Sequence, residues 1–381
     1  DGVDLDTLLR KRTAGLMQQH LKPKIDAATR QQFPQGIASY GADALRFTFA
    51  ALATTGRDIR FDMSRIDGYA KFCNKLWNAS LYVLMSTEEV SPGEASLSPA
   101  DRWIRSRLQR TTNAVHEHFA GYRLDLAAQA LYDFTWHEFC DWYLELSKPV
   151  LQSGESDASS VRGAQKTLVE VLETLLRLLH PLMPFITEEI WLEVAERAGK
   201  SGETVMLQPY PPGGSQWQDV DAEGEMDWVR QFILGVRQIR GEMNISPGKP
   251  LPVLLQQASE QDRTLAERHR HLLSRVGRIE SIRVLDAEEA IPPSATALLG
   301  NMRLLVPMKG AIDVDAERLR LMKQQEKLSA DLRRSRQKLD NSNFVNNAPA
   351  DVVSKESDRA AELRRQIGQL EEQLAKLDAL A

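Results

Sequence analysis

Residues Ile66–Met85 read IDGYAKFCNKLWNASLYVLM, and the spacing of their apolar members decides how the chain folds. Phe72, Leu76, Ala79 and Val83 recur at steps of four, three and four, the period of one helix face rather than the alternation of a strand. Lys71, Lys75, Asn78 and Tyr82 repeat those steps one position earlier, so a polar face adjoins the apolar one. The segment is a helix with a dry side and a wet side.

The same period extends outward. Upstream, Ala42–Leu52 forms a helical run (Ala44, Leu45, Phe47, Phe49, Ala50) that stops at Thr54-Thr55-Gly56. Before it, Asp1–Gly36 is a polar lead-in closing in a turn at Phe33-Pro34-Gln35-Gly36. Arg57–Met63 alternates charged and apolar residues and is expected to cross the surface between domains. Downstream, the loop Ser86–Ser98 leads to a helix over Ala100–Phe119, capped by Ser98 with Pro99 at the first helical position. Further helices are expected near Asp125–Ser147 and Ser160–Ala198, the last interrupted at His180-Pro181-Leu182-Met183-Pro184. Long helices with short connections imply an antiparallel bundle over residues 62–210.

Pro209, Pro211, Pro212, Gly213 and Gly214 mark a boundary at Gln208–Ser215. Element types then alternate: helix Glu223–Asn244, strand Leu251–Gln256, helix Gln261–Val276, and strands Ile279–Leu285 and Met302–Pro307. This is a small α/β module, residues 211–312, and it carries no glycine-rich phosphate loop. In Asp313–Ala381 the apolar residues return at heptad spacing: Leu321, Leu328, Leu332 and Leu339, then Ala360, Leu363, Ile367, Leu370, Leu374 and Leu377. The breakers of Asn341–Pro349, around Phe344, let the two stripes meet within one chain as an antiparallel coiled-coil hairpin. An intermolecular coiled coil is the alternative. The fold class is therefore mainly α.

Composition narrows the function. The chain has 381 residues, 42% hydrophobic and 27% charged, with a net charge of −5, so it is not a uniformly basic nucleic-acid binder. The apolar stretch Thr167–Leu182 is broken by Glu170, Glu173 and Arg177, and no segment reads as membrane-spanning. Asp1–Lys24 lacks the apolar core of a signal peptide, and the chain opens without a methionine, as an excised piece would. Cys73 and Cys140 read as buried, reduced thiols of a cytoplasmic protein. His116/His118 and His269/His271 diverge around their helices, and no Cys/His cluster has zinc spacing, so no metal site is expected.

No Ser–His–Asp set, carboxylate pair or activated cysteine stands at a diagnostic spacing, and no catalytic residue is assigned. Glu188 and Glu189 suit the first turn of a helix. The wet face of Ile66–Met85 is more informative. Two lysines, an amide and an aromatic suit single-stranded RNA, since cations meet phosphates, Asn reads base edges and Tyr stacks on an unpaired base. Arg57, Arg60 and Arg65 add charge just upstream. A merely solvated helix face is the bland alternative. Trp136, Trp142, Tyr143, Trp191 and Trp228 invite a stacking role, but Phe139, Trp142, Tyr143 and Leu146 fall at core spacing and read as packing. Near the hairpin tip, Arg333, Arg334, Arg336 and Lys338 concentrate as a phosphate-contacting arm requires.

Several long motifs resemble one family. Tyr40-Gly41-Ala42-Asp43-Ala44-Leu45-Arg46-Phe47 is similar to the segment after the signature lysine loop of class I aminoacyl-tRNA synthetases for branched aliphatic amino acids. Gly56–Asp62, Phe72–Ser80, Phe134–Leu146, Pro181–Trp191 and Val236–Pro250 resemble the bacterial valyl-tRNA synthetase family in particular, and Phe344–Pro349 sits where that family has its hairpin turn. The resemblance runs essentially from end to end. It implies a stem-contact remnant of the catalytic region (1–61), an anticodon-binding bundle (62–210), the small α/β module (211–312) and a coiled-coil tRNA-binding arm (313–381). Lys75 and Tyr82 match positions the family uses against anticodon bases; a third such position falls at Ser64, with Arg65 beside it. The HIGH and KMSKS motifs and the editing insertion are missing. The resemblance thus implies a monomeric, cytoplasmic tRNA-binding part of a valine–tRNA ligase, inactive alone, with ATP and magnesium serving only the full-length enzyme. A free-standing helical scaffold without an RNA role is the competing reading. Isoleucyl enzymes fit less well for want of a cysteine zinc site, and leucyl enzymes because of the terminal hairpin.

Overall fold

The structure, a computed structural model, describes residues 2–54, 62–89, 92–152, 154, 156–286, 288–308, 314–341 and 350–378. The expected surface crossing with Arg57 and Arg60, and the hairpin turn with Phe344, lie outside the described residues. The chain divides into two compact units, Asp1–Trp228 and Val229–Ala381.

The first unit is helical. The polar lead-in holds two helices that the sequence pattern did not resolve, α1 (Leu5–Thr13) and α2 (Lys22–Gln32). Their buried stripes are short: Leu8 and Leu9 in α1 and Thr29 in α2. α3 spans Ala42–Leu52, and α4 spans Met63–Ser86, begun early because Asp62 accepts from the Ser64 amide at 2.9 Å. α5 (Pro99–Ala120) opens on a reciprocal cap: Asp101 N–H donates to Ser98 Oγ at 3.2 Å, and Ser98 N–H donates to Asp101 Oδ2 at 2.8 Å. α6 (Leu124–Asp133) runs into ten residues, Phe134–Tyr143, wound more widely than an α-helix, and continues as α7 (Leu144–Gln152). α8 (Ala158–Leu179) and α9 (Pro184–Val194) flank the expected break. The core gathers Phe72, Leu76 and Val83 of α4, Ile104, Leu108 and Val115 of α5, Leu168, Leu172 and Leu175 of α8, and Trp191 of α9.

α3 fastens the α8–α9 corner by charge. Arg46 donates to the carbonyls of Pro181 (3.1 Å) and Leu182 (3.3 Å), where α8 has run out of internal donors. One turn earlier, the buried Asp43 accepts from the Phe185 (3.2 Å) and Ile186 (2.7 Å) amides at the start of α9. Pro184 opens α9 without a side-chain cap of its own, so Asp43 supplies one from another helix.

α10 (Val220–Glu242) begins in the first unit, where Asp219 pairs with Arg102 at 2.9 Å and Glu223 with Arg110 at 2.7 Å. The division between the two units accordingly falls within α10.

The second unit holds a four-stranded mixed sheet in the order β2-β1-β4-β3. β1 (Leu251–Gln256) and β4 (Met302–Pro307) have the expected bounds, and β2 is Ile279–Val284. β1 and β2 are parallel, joined through α11 (Glu260–Arg268) and α12 (Arg270–Gly277), two helices where one was expected; the break is at His269. β3 (Ser294–Leu299) was not anticipated and pairs antiparallel with β4 across Gly300-Asn301, with Gly300 at φ +58°. On α10, a Cβ at Gly235 would stand 2.8 Å from Leu304 Cδ1, so the missing side chain lets helix and sheet approach. Buried Arg240 donates to the carbonyls of Lys249 (2.7 Å), Arg278 (2.8 Å) and Ser246 (3.1 Å), tying the end of α10 to the loops beside the sheet.

The last two helices, α13 (Val314–Asp340) and α14 (Ala350–Asp378), pack on each other. Ser335 donates to Glu356 at 2.7 Å and Gln325 to Glu371 at 3.0 Å, so their directions are opposed. Ala360, Leu363 and Leu370 are buried, as heptad positions require.

Replacing Asp43 with Ala leaves two amide donors unmet at the start of α9, and the expected loss is about 1–3 kcal/mol of stability. Urea unfolding followed by circular dichroism measures it; an unchanged midpoint contradicts the fastening role.

Candidate nucleic-acid interface

The wet face of α4 is not a bare row of side chains. Lys71 is open to solvent, 68% exposed, and holds Asp67 one turn back at 2.6 Å. Asn78 and Arg65 are exposed. Lys75 differs: only 29% exposed, it donates to Asp141 Oδ1 and stands 4.4 Å above the ring centroid of Trp136. Tyr82 is half-buried, its hydroxyl 3.2 Å from Ser147 Oγ and its ring 5.8 Å from the Lys148 ammonium. Of the five residues the sequence singled out here, three are open and two are pinned against the α6–α7 helix. Both lysines are thus paired, Lys71 with a carboxylate of its own helix in open solvent and Lys75 with one from another helix.

The residues that pin Lys75 come from the wide stretch Phe134–Tyr143, and those beside Tyr82 from α7, which continues it. Leu144 N–H reaches back five residues to the Phe139 carbonyl rather than four. Phe134, Thr135, Phe139, Cys140, Trp142 and Tyr143 point into the core, and Tyr143 Oη donates to Asp101 at 2.6 Å. Burial in apolar surroundings, with the Asp101 charge beside it, drives the Tyr143 phenol well above its ordinary pKa, so its hydroxyl keeps the proton it donates to Asp101. The sequence reading of Phe139, Trp142 and Tyr143 as packing agrees with this. Trp136 does not join them inside.

Trp136 is half-buried at the edge of an aromatic cluster. Its ring stacks on Tyr132 at 5.6 Å and 16°, Tyr132 meets Phe72 at 5.0 Å, and Tyr69 meets Phe47 at 4.9 Å. Burial raises the pKa of Tyr69 and Tyr132, so both hydroxyls stay protonated at neutral pH. His137, 56% exposed, places Nδ1 at 3.5 Å from Asp141 Oδ2. Asp141, His137 and Tyr132 were missed by sequence reasoning. The signal that could have found them is spacing: Trp136 and Asp141 are five apart, one turn of a widened helix, and both reach Lys75.

On the arm, Arg333 and Arg336 are exposed, Arg334 pairs with Asp331, and Lys338 lies 3.5 Å from Glu356. Ser335 is buried between the helices, and its hydrogen bond, with the Lys338 charge, holds the Glu356 carboxyl below its ordinary pKa. Two of the four basic residues are thus paired with carboxylates, and two are exposed, Arg333 with its Nε 3.5 Å from the Ser329 carbonyl. Among the described residues no group of three or more His, Cys, Asp or Glu is placed to hold a metal ion, and no helix is long and apolar enough to cross a membrane.

Two family models match the sequence. The anticodon-binding domain of tRNA ligase covers residues 101–255, and the valyl tRNA synthetase tRNA binding arm covers 313–378. The wide stretch lies inside the first match and all four arm cations inside the second, whereas α4 precedes both. A valine--tRNA ligase of Legionella pneumophila (strain Paris) is 45% identical over 366 residues, 95% of this chain and 40% of that protein. The chain therefore spans less than half the length of that curated relative. Among solved structures, a ternary complex of LeuRS, tRNA and LeuAMS from Agrobacterium radiobacter K84 matches with a TM-score of 0.34 and 17% identity, over 69% of this chain and 30% of that one. That similarity is too low to carry an argument.

Both cysteines adjoin this region, and burial pushes each thiol up to about 12. At pH 8 the thiolate fraction of both is then minute. Slow reaction with a thiol reagent in the native state, and release of two equivalents on adding guanidinium, are expected; rapid native labelling contradicts the sheltering of buried Cys140 and half-buried Cys73.

Proposed function

With the chain a member of the valyl-tRNA synthetase family, we propose that it grips a tRNA that accepts valine, while aminoacylation takes place in other parts of a longer ligase. The α4 face and the wide stretch beside it read splayed anticodon bases, and the α13–α14 arm contacts the backbone of the same tRNA. In this reading residues 1–61 are a stem-contact remnant of the catalytic region, 62–210 the anticodon-binding bundle, 211–312 the small α/β module and 313–381 a coiled-coil arm. The protein works as a monomer in the cytoplasm. ATP and magnesium act elsewhere in the ligase, and none of the residues described above is assigned to them.

The observation that carries the proposal is the company kept by Lys75 and Tyr82. A cation over a half-buried Trp136, with a half-buried tyrosine two turns along the same helix, is the arrangement single-stranded RNA needs: donors for edges and flat surfaces for stacking. Exposed Asn78 and Lys71 extend that face, with Arg65 at its start. The arm supplies Arg333, Arg334, Arg336 and Lys338 for phosphates, and its match to the tRNA-binding arm model supports that role.

Titrating the chain with a valine-accepting tRNA and a non-cognate tRNA, each at two salt concentrations, tests the proposal. Preference for the first and weakening with salt are expected. Tyr82→Ala should cost about 1–3 kcal/mol through lost stacking, and Lys75→Ala should weaken binding as well. Unchanged affinity in both variants rejects the α4 face. Indifference to tRNA together with a dimer in light scattering favours the scaffold reading instead.

A further inference from the structure

Lys75 and Lys71 lie one turn apart on one helix, yet they are built differently. Lys71 pairs with a carboxylate of its own helix in open solvent. Lys75 is drawn across a tryptophan by Asp141, 66 residues further along the chain. An exposed pair such as Lys71–Asp67 yields its lysine to a phosphate at little cost, whereas a carboxylate sheltered with its lysine is dearer to displace and repels the backbone. Asp141 is nonetheless 38% exposed beside the two aromatic rings and the lysine. Its Oδ1 takes Lys75 and its Oδ2 faces His137 Nδ1, while a carboxylate offers about four acceptor sites.

Resting on the tRNA-binding reading above, we propose that Asp141 is a specificity-determining residue: it turns Lys75 from a general cation into an aimed donor and adds the acceptor that reads the hydrogen-bonding edge of an unpaired base. The base lies against the exposed part of the Trp136–Tyr132 stack. The Lys75 ammonium donates to an acceptor on the base edge, and the Asp141 carboxylate accepts from a neighbouring N–H. A donor and an acceptor side by side discriminate between edges, which a lone lysine does not do. The negative charge also disfavours an edge that presents only lone pairs, and a backbone phosphate seated in the same place.

The test compares the unsubstituted chain with Asp141→Asn and Asp141→Glu. The probes are a valine-accepting tRNA transcript and the same transcript with each anticodon base replaced in turn. For Asp141→Asn, affinity for the matching transcript should fall about tenfold, in the range of one lost bidentate base contact. Affinity for at least one replaced transcript should hold or rise, because Lys75 is released towards phosphate. The salt dependence should then steepen by somewhat less than one released counterion. Asp141→Glu, keeping the charge, should recover part of the discrimination. Thermal unfolding of each variant separates a folding defect from a loss of reading. Equal weakening of all transcripts, or an unchanged ratio among them, overturns the role of Asp141 alone. Failure of the unsubstituted chain to bind any transcript overturns the tRNA-binding reading and this one together.

Discussion

The candidate site depends on ten residues wound too wide. In an ordinary α-helix, residues five apart point roughly 140° away from each other. Trp136 and Asp141 would then face different neighbours, and Lys75 could not meet both. The i→i+5 hydrogen bonding of Phe134–Tyr143 brings them to one side. Wide turns are rare because their backbone packing is poor, so something must hold this one open. The inward side chains do so: Phe134, Phe139, Trp142 and Tyr143 are almost wholly buried, each large aromatic contributing about 1.5–3 kcal/mol on leaving water. Tyr143 then fixes the register, because its hydroxyl donates to the same Asp101 that caps α5. A core hydrogen bond on one side of the helix thus sets the geometry of a polar cluster on the other.

That coupling explains what the sequence could and could not reveal. Elements set by local chemistry were legible with their ends: α3, α5 with its Ser98 cap, β1 and β4. The apolar stripe of α4 was legible for the same reason, since Phe72, Leu76, Ala79 and Val83 are all buried. α1 and α2 escaped because short helices with few buried residues carry no clear period. β3 escaped because Ser294-Ala295-Thr296-Ala297 holds one β-branched residue and no aromatic to mark a strand, although Gly300-Asn301 was a hairpin signal in plain view.

The site was half legible. Spacing placed Lys71, Lys75, Asn78 and Tyr82 on one helix, but spacing has no knowledge of a partner on a different helix. Asp141 is 66 residues from Lys75, and the widened turn that presents it follows no period that a 3.6-residue template detects. The place of Trp136 was hidden for the same reason. At α-helical spacing Trp136 groups with the core, whereas the wider winding leaves it at the boundary, where its face serves the cluster.

On the tRNA-binding proposal, the pattern of pairing also accounts for how a chain of net charge −5 presents surfaces to RNA. Some cations on these surfaces are held in the open by nearby carboxylates: Lys71 by Asp67 and Arg334 by Asp331. Exposed pairs of this kind contribute about 0–1 kcal/mol, so a phosphate can displace the carboxylate at little cost. Such pairs keep the free surface from binding every polyanion tightly while leaving its cations available on demand. Lys75 stands apart because its pair is partly removed from water and shared with an aromatic face, where exchange for a solvated phosphate is dearer. The exposed pairs therefore suit a backbone that is the same in every tRNA. The sheltered pair suits a base, which is not.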